Sequence, residues 1–329
     1  MFKALLLTRN ADKSTTATLA DLADDALPPG DVTVRVAWST LNYKDALAIT
    51  GRGAIVKSWP MVAGIDLAGT VEQSSDPAWQ PGDAVVVNSW GLSETHWGGL
   101  AQKARVAADW LLKVPAPYSL RDTMAIGTAG YTAALCVQAL LRHGLTPGQG
   151  PVLVTGGSGG VGSVAIVLLA GLGFEVHTSS GRPALAEGLK ALGAAEVIDR
   201  ATLAAPGKPL QSERWAGVVD TVGSHTLANA CAATKWNGAV AACGLAGGAD
   251  FPATVMPFIL RGVTLYGINC VYVPNERRAE AWALLARHLS PERLAGMVHT
   301  IGLSETITAS AELLDGRLTA NRVVVDVNR

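Results

Sequence analysis

A chain of 329 residues is longer than one hydrophobic core usually serves, so two domains sharing a cleft are expected. Its 26 Lys and Arg against 27 Asp and Glu leave a formal charge of −1, which excludes the one-signed basic field that nucleic acid or an anionic membrane requires. The four cysteines, Cys136, Cys231, Cys243 and Cys270, form no Cys-x-x-Cys pair, and the opening MFKALLLTRN carries no long apolar run, so reduced thiols and a cytoplasmic location are expected.

The first third reads as strands. Phe2 to Thr8, Asp31 to Trp38, Asp66 to Gln73, Asp83 to Asn88 and Leu100 to Ala107 are short and rich in valine and leucine, with turns such as Pro28-Pro29-Gly30 and Pro81-Gly82-Asp83 between them. A small antiparallel barrel fits this pattern. From Ser119 a helical stretch runs through Leu141, and strands then alternate with helices. Strands are predicted over Pro151 to Thr155, Phe174 to Thr178, Glu196 to Ile198, Gly217 to Thr221, Ala239 to Cys243 and Val263 to Gly267, with helices over Val161 to Gly171 and Pro183 to Leu192. Such alternation predicts a parallel, doubly wound sheet with its ligand at the carboxyl ends of the strands. The closing Arg322-Val-Val-Val-Asp-Val reads as a strand returning to the first domain. The domains are therefore 1–123 completed by 297–329, and 124–296.

Gly144 to Phe174 carries no charge and is apolar enough to suggest a membrane helix. Two prolines and a glycine cluster precede its helical part, leaving about fourteen helical residues, too few to span. A buried strand, turn and helix is the better reading.

That turn holds Gly157-Ser158-Gly159-Gly160-Val161-Gly162, a G-x-G-x-x-G between a strand and an apolar helix. Glycine serves a tight turn at Gly157, close approach to a pyrophosphate at Gly159 and helix–strand packing at Gly162, while the helix start offers unpaired N–H groups to phosphate. An NAD site carries an acid about twenty residues on. Here the chain reads His177-Thr178-Ser179-Ser180-Gly181-Arg182, and Glu175 lies in the predicted strand interior. Ser180, Gly181 and Arg182 suit a 2′-phosphate, with Arg200 as a second cation, so NADPH is the expected cofactor.

The runs LNYKDALAITGRG, PMVAGIDLAGTV, GTAGYTAAL, TGGSGGVGSVA, SSGRP and LGAAEVIDR resemble the medium-chain dehydrogenase/reductase superfamily across the whole chain, nearest to its acrylyl-CoA reductase and quinone oxidoreductase-like branch. The resemblance implies a GroES-like barrel followed by a Rossmann domain. Zinc-containing members hold the metal with a cysteine in the early helix and a histidine–glutamate pair after a glycine. Those stretches here read Asn42-Tyr43-Lys44-Asp45 and Gly64-Ile65-Asp66, so no catalytic metal is expected. Without that Lewis acid, alcohol oxidation gives way to reduction of a polarised alkene.

The expected chemistry is hydride addition to the β-carbon of an enone or enoyl thioester, held about 3 to 3.5 Å from the nicotinamide, then protonation at the α-carbon. Tyr43 is the leading catalytic candidate, and three roles stay open to its hydroxyl: donating to the oxyanion, orienting the nicotinamide or relaying a proton. Asn42 is a candidate for positioning the nicotinamide ribose or the substrate, and Asp45 either shares in the chemistry or orders the short helix. The resemblance further implies that Thr128, Leu245, Asn269 and Asn321 lie along the cofactor. Arg52, Lys57 and Arg322 are candidates for CoA phosphates by position alone. Acryloyl-CoA is the expected substrate, with quinones or small enones as the enzymatic alternative and non-catalytic NADPH sensing as the alternative of another class. The branch also implies a homodimer built on the edge at Val263 to Gly267 with Ile268 and Val271.

Overall fold

The computed structural model describes residues 1–318 and 321–329, and its backbone divides into two compact units. The first comprises Met1–Thr128, Val271–Ala279 and Ser290–Arg329; the second comprises Ala129–Cys270 and Glu280–Leu289. The first boundary thus falls at Thr128 and not at 123, and the C-terminal return begins at Ser290 and not at 297.

In the first unit the described residues form a seven-stranded sheet. Its order is Val298–Gly302, Arg322–Asp326, Val32–Leu41, Asp66–Ser74, Ala84–Asn88 and Leu112–Lys113, with Lys103–Val106 also paired to Val32–Leu41. All pairs are antiparallel except that of Val298–Gly302 with Arg322–Asp326. Val32, Val34 and Val36 alternate to one face and pack with Leu67, Val71, Val85, Val87, Val323 and Val325. The Asp31 to Trp38 strand extends to Leu41 because Ser39, Thr40 and Leu41 pair with Val325, Val324 and Val323. Leu100 to Ala107 shortens to Lys103–Val106. A second sheet joins Thr15–Leu22, Phe2–Arg9 and Met61–Val62. Thr15–Leu22 escaped the sequence reading because no residue of it is buried and its alternation is faint.

The helical run Leu120–His143 is broken at Gly127, whose φ of 52° and ψ of −167° form a combination open essentially to glycine. A Cβ there would stand 2.5 Å from Arg322 Nη2. The break is why the boundary shifts: the segment before it stays on the first sheet, where Arg121 Nη2 donates to Thr300 Oγ1 at 2.9 Å. This run is the one described helix long and apolar enough to cross a membrane, and 89% of its apolar window is buried within the protein.

The second unit holds a six-stranded parallel sheet ordered Glu196–Asp199, Val176–Ser180, Val152–Val154, Trp215–Asp220, Thr234–Ala242 and Thr264–Gly267. Chain order reverses between the third and fourth of these strands. Such a switch point is where open α/β sheets bind ligand, at the carboxyl ends of the strands. Gly144 to Phe174 resolves into the strand, the glycine turn and helix Gly160–Gly171, as its prolines and glycines imply. Most bounds shift by one or two residues, as where Phe174 to Thr178 becomes Val176–Ser180 and Gly217 to Thr221 becomes Trp215–Asp220, and three differences matter more. Pro183 to Leu192 is a 3-10 turn, Pro183–Leu185, followed by helix Ala186–Leu192. The strand expected from Ala239 begins at Thr234. Glu175 precedes the strand Val176–Ser180 instead of lying inside it, and it bonds His177 at 2.9 Å.

Candidate active site

In the first unit, helix Tyr43–Ile49 opens with a capping box: Asp45 Oδ2 accepts from the backbone N–H of Asn42 at 2.8 Å. The same oxygen accepts from Asn42 Nδ2 at 2.9 Å, and Asp45 Oδ1 accepts from the Ile65 N–H at 2.8 Å. Asn42 Nδ2 also donates to Asp66 Oδ2 at 2.7 Å, while Asn42 Oδ1 accepts from Arg322 Nη1 at 3.3 Å. Arg322 donates further to the Ala125 carbonyl at 2.7 Å and to Thr40 Oγ1 at 2.9 Å. Asp45, Asp66 and Arg322 are all buried, so a neutral amide links one cation to two carboxylates away from water. A buried charge of this kind survives only with such partners.

Burial first, and then the Asp66 charge, push the Asp45 carboxyl up to about 7, against the pull of its Asn42 and Ile65 donors. Burial also lowers Arg322, while Asp66 and Asp45 raise it.

These residues do not fit zinc. Both carboxylates are committed to N–H and O–H donors, Asn42 turns its N–H groups toward them, Ile65 offers no donor atom, and a dication would face the Arg322 guanidinium. Among the described residues no group of three His, Cys, Asp or Glu side chains is arranged to hold a metal.

In the second unit the glycine turn follows strand Val152–Val154 at the switch point. The tight turn falls at Gly156, with φ of 64°, and not at Gly157. Gly157 is needed for closeness instead: a Cβ on it would stand 1.9 Å from Thr178 Oγ1, and one on Gly162 would stand 2.4 Å from the Gly156 carbonyl oxygen. Gly159 caps helix Gly160–Gly171, whose first residues include Val161. At the end of the next strand, Arg182 Nη2 donates to Ser158 Oγ at 3.0 Å and the Arg182 N–H donates to Ser180 Oγ at 3.2 Å. Gly181 lies so close to Arg200 that a Cβ would meet its Nε at 2.3 Å. The turn thus has the Arg182 guanidinium bonded to Ser158 and Arg200 packed against Gly181, side chains of the kind that bind phosphate. Residues 245 and 269 follow strands Thr234–Ala242 and Thr264–Gly267 at the same carboxyl edge of this sheet.

The chain resembles two family models: the alcohol dehydrogenase GroES-like domain over residues 28–116 and the zinc-binding dehydrogenase domain over 160–287. It is 50% identical to the acrylyl-CoA reductase AcuI of Ruegeria pomeroyi over 100% of both chains. The chain belongs to the medium-chain dehydrogenase/reductase superfamily. This medium-chain reductase is also 42% identical to the putative quinone oxidoreductase YhfP of Bacillus subtilis, over 99% of this chain and 98% of that one. Its fold matches Escherichia coli YhdH with bound NADPH at a TM-score of 0.96 and 48% identity, covering 99% and 100% of the two chains.

The medium-chain reductase places its sequence-derived candidates unevenly. Ser158, Ser180, Gly181, Arg182 and Arg200 converge in the second unit. In the first, Asn42, Asp45 and Thr128 converge on Asp66, and Tyr43, 44% exposed, stands at the first turn of the helix they anchor. Asn321 lies immediately before strand Arg322–Asp326. Arg322 is no CoA contact, because its guanidinium is enclosed by Ala125, Thr40 and Asn42; Arg52 pairs with Asp315 at 2.7 Å and Lys57 with Glu94 at 3.5 Å. Sequence reasoning missed Gly156, Asn88 and Ser89, and it placed Asp66 only in the motif standing where zinc ligands occur. A carboxylate opening a strand just before the apolar Leu67 and Ala68 was the available signal.

Asp45 holds its proton more tightly folded than unfolded, so its contribution to stability is full below about 4 and is lost as pH rises through about 7. Asp45→Asn has no such titration. The melting-temperature difference between wild type and Asp45→Asn is therefore predicted to shrink from pH 4 to pH 8; a difference that grows across that interval contradicts the assignment.

Proposed function

We propose that this chain is a cytoplasmic, NADPH-dependent reductase of enoyl thioesters that converts acryloyl-CoA to propionyl-CoA. The observation that carries the substrate is full-length identity of 50% to a protein named acrylyl-CoA reductase. The cofactor reading draws on Arg182, Ser158 and Ser180 at the switch point, where a charge-assisted bond to a 2′-phosphate is worth about 1.5 to 3 kcal/mol.

NADPH, when bound, would supply the hydride that reduces the β-carbon, and a proton added at the α-carbon would complete the reduction. The protein binds and orients. N–H groups at the start of helix Gly160–Gly171 would receive the pyrophosphate, with the bare backbone at Gly159 allowing it close. Thr128, Leu245, Asn269 and Asn321 are assigned to the nucleotide by the family resemblance. Tyr43 donates toward the carbonyl oxygen where negative charge develops, from a helix start fixed by Asn42 and Asp45. Free cysteines Cys136, Cys231, Cys243 and Cys270 accord with a reducing compartment.

A homodimer completes the proposal. Thr264–Gly267 is an edge strand, and the neighbouring helix Met256–Arg261 exposes Ile259 and Leu260. The second enzymatic reading, quinone or small-enone reduction, is favoured by the likeness to YhfP and by the engagement of Arg52, Lys57 and Arg322 with protein partners.

Two measurements test these assignments. Arg182→Ala is expected to raise KM for NADPH roughly ten- to a hundredfold while leaving that for NADH nearly unchanged; equal effects on both overturn the phosphate-binding role. With NADPH saturating, kcat/KM for acryloyl-CoA is expected to exceed that for methyl vinyl ketone or a benzoquinone, and parity would favour the enone reading.

A further inference from the structure

Four hydrogen bonds converge on Asp66, two to each oxygen. Oδ1 accepts from Asn88 Nδ2 at 2.6 Å and from Thr128 Oγ1 at 2.7 Å; Oδ2 accepts from Asn42 Nδ2 at 2.7 Å and from the Thr128 N–H at 2.9 Å. A carboxylate cannot donate, so the Thr128 hydroxyl proton is committed to it. Ser89 Oγ lies 3.2 Å from Thr128 Oγ1, a pair in which either hydroxyl could ordinarily donate. With the Thr128 proton committed, Ser89 is the donor, and the chain runs one way from Ser89 to Thr128 to Asp66. Ser89 and Trp90 hold φ of 67° and 52°, a left-handed conformation costly to residues with side chains and retained where surroundings enforce it. Asn88, immediately before them, is itself pinned to Asp66.

We propose that Asp66 is a positioning residue of the reductase, acting through Thr128. It keeps the Thr128 hydroxyl an acceptor toward N–H and O–H donors of the nicotinamide nucleoside, while its bond to Asn42 steadies the helix start that carries Tyr43. The proposal rests on the reading of Thr128 as a cofactor contact.

The isosteric Asp66→Asn isolates this role. Its new NH2 cannot face the Asn42 amide and Thr128 N–H, where donor would meet donor. On the other side it faces Asn88 Nδ2 and the Thr128 hydroxyl; there the hydroxyl can become the acceptor and turn its own proton away from residue 66, while the Asn88 amide rotates to offer its oxygen. Dissociation constants for NADPH, followed by nucleotide fluorescence, and kcat are measured for Asp66→Asn, Thr128→Val, Thr128→Ser and the Asp66→Asn/Thr128→Val double variant, with melting temperatures alongside. Asp66→Asn and Thr128→Val are expected to bind NADPH about tenfold more weakly, Thr128→Ser to bind within about twofold of wild type, and the double variant to bind no more weakly than the weaker single. Wild-type affinity in Thr128→Val sinks the cofactor contact at Thr128. A weakened Thr128→Val beside an unaffected Asp66→Asn, or beside losses that multiply in the double variant, sinks only the positioning role. If Asp66→Asn does not fold, Asn88→Ala stands in for it, with about threefold weakening expected and unchanged affinity overturning the proposal.

Discussion

A neutral amide holding a guanidinium on one side and two carboxylates on the other is the constraint around which the first unit is built. Arg322 keeps its charge at any ordinary pH, and a buried cation without partners would cost several kcal/mol. Asn42 accepts from it and donates to Asp45 and Asp66, so an amide and a guanidinium 280 residues apart in sequence meet in one bond that also reaches both carboxylates. The consequences spread outward. Arg322 opens the strand that pairs with Val32–Leu41, Asp45 starts helix Tyr43–Ile49, and Asp66 opens the next strand of the same sheet. Gly127 is obligatory for the same reason, since a side chain there would strike the guanidinium.

The same arrangement explains how a superfamily that includes zinc enzymes accommodates different chemistry on one barrel. Where a metal would need thiolate or imidazole ligands turned inward, this chain has carboxylates whose lone pairs are spent on N–H and O–H groups. The proposed chemistry therefore relies on hydrogen-bond donors in place of a Lewis acid. Such donors suffice for an alkene already polarised by a carbonyl, because only the charge gathering on one oxygen has to be stabilised. The second unit contributes a glycine turn and a pair of guanidinium groups, positioned by a parallel sheet whose order reverses beside them.

Much of this was legible in the residues. Alternating valines betrayed the inner strands of the barrel, and the glycine turn between a strand and an apolar helix marked the candidate nucleotide site, because both features rest on local periodicity and backbone freedom. Thr15–Leu22 was not legible, since an exposed edge strand of threonines and alanines buries too little to leave a pattern. Gly156 was overlooked because the motif begins at Gly157, although the left-handed turn lies one residue earlier. Arg322 stood as a candidate for CoA phosphates by position: burial of an arginine depends on partners at Thr40, Asn42 and Ala125, far away in sequence and invisible to any local reading. Asn88 and Ser89 were hidden likewise, as their importance comes from a carboxylate on the neighbouring strand.

The central claim is hydride transfer from a phosphorylated nicotinamide to an electron-poor alkene carbon. Mass spectrometry of the product formed from acryloyl-CoA and 4-deuterated NADPH tests it most directly. Propionyl-CoA is expected with one deuterium at the β-carbon for the transferred label, and, with unlabelled NADPH in heavy water, one deuterium at the α-carbon instead. Deuterium arriving at the carbonyl carbon, or NADPH consumed without labelled propionyl-CoA, would contradict it.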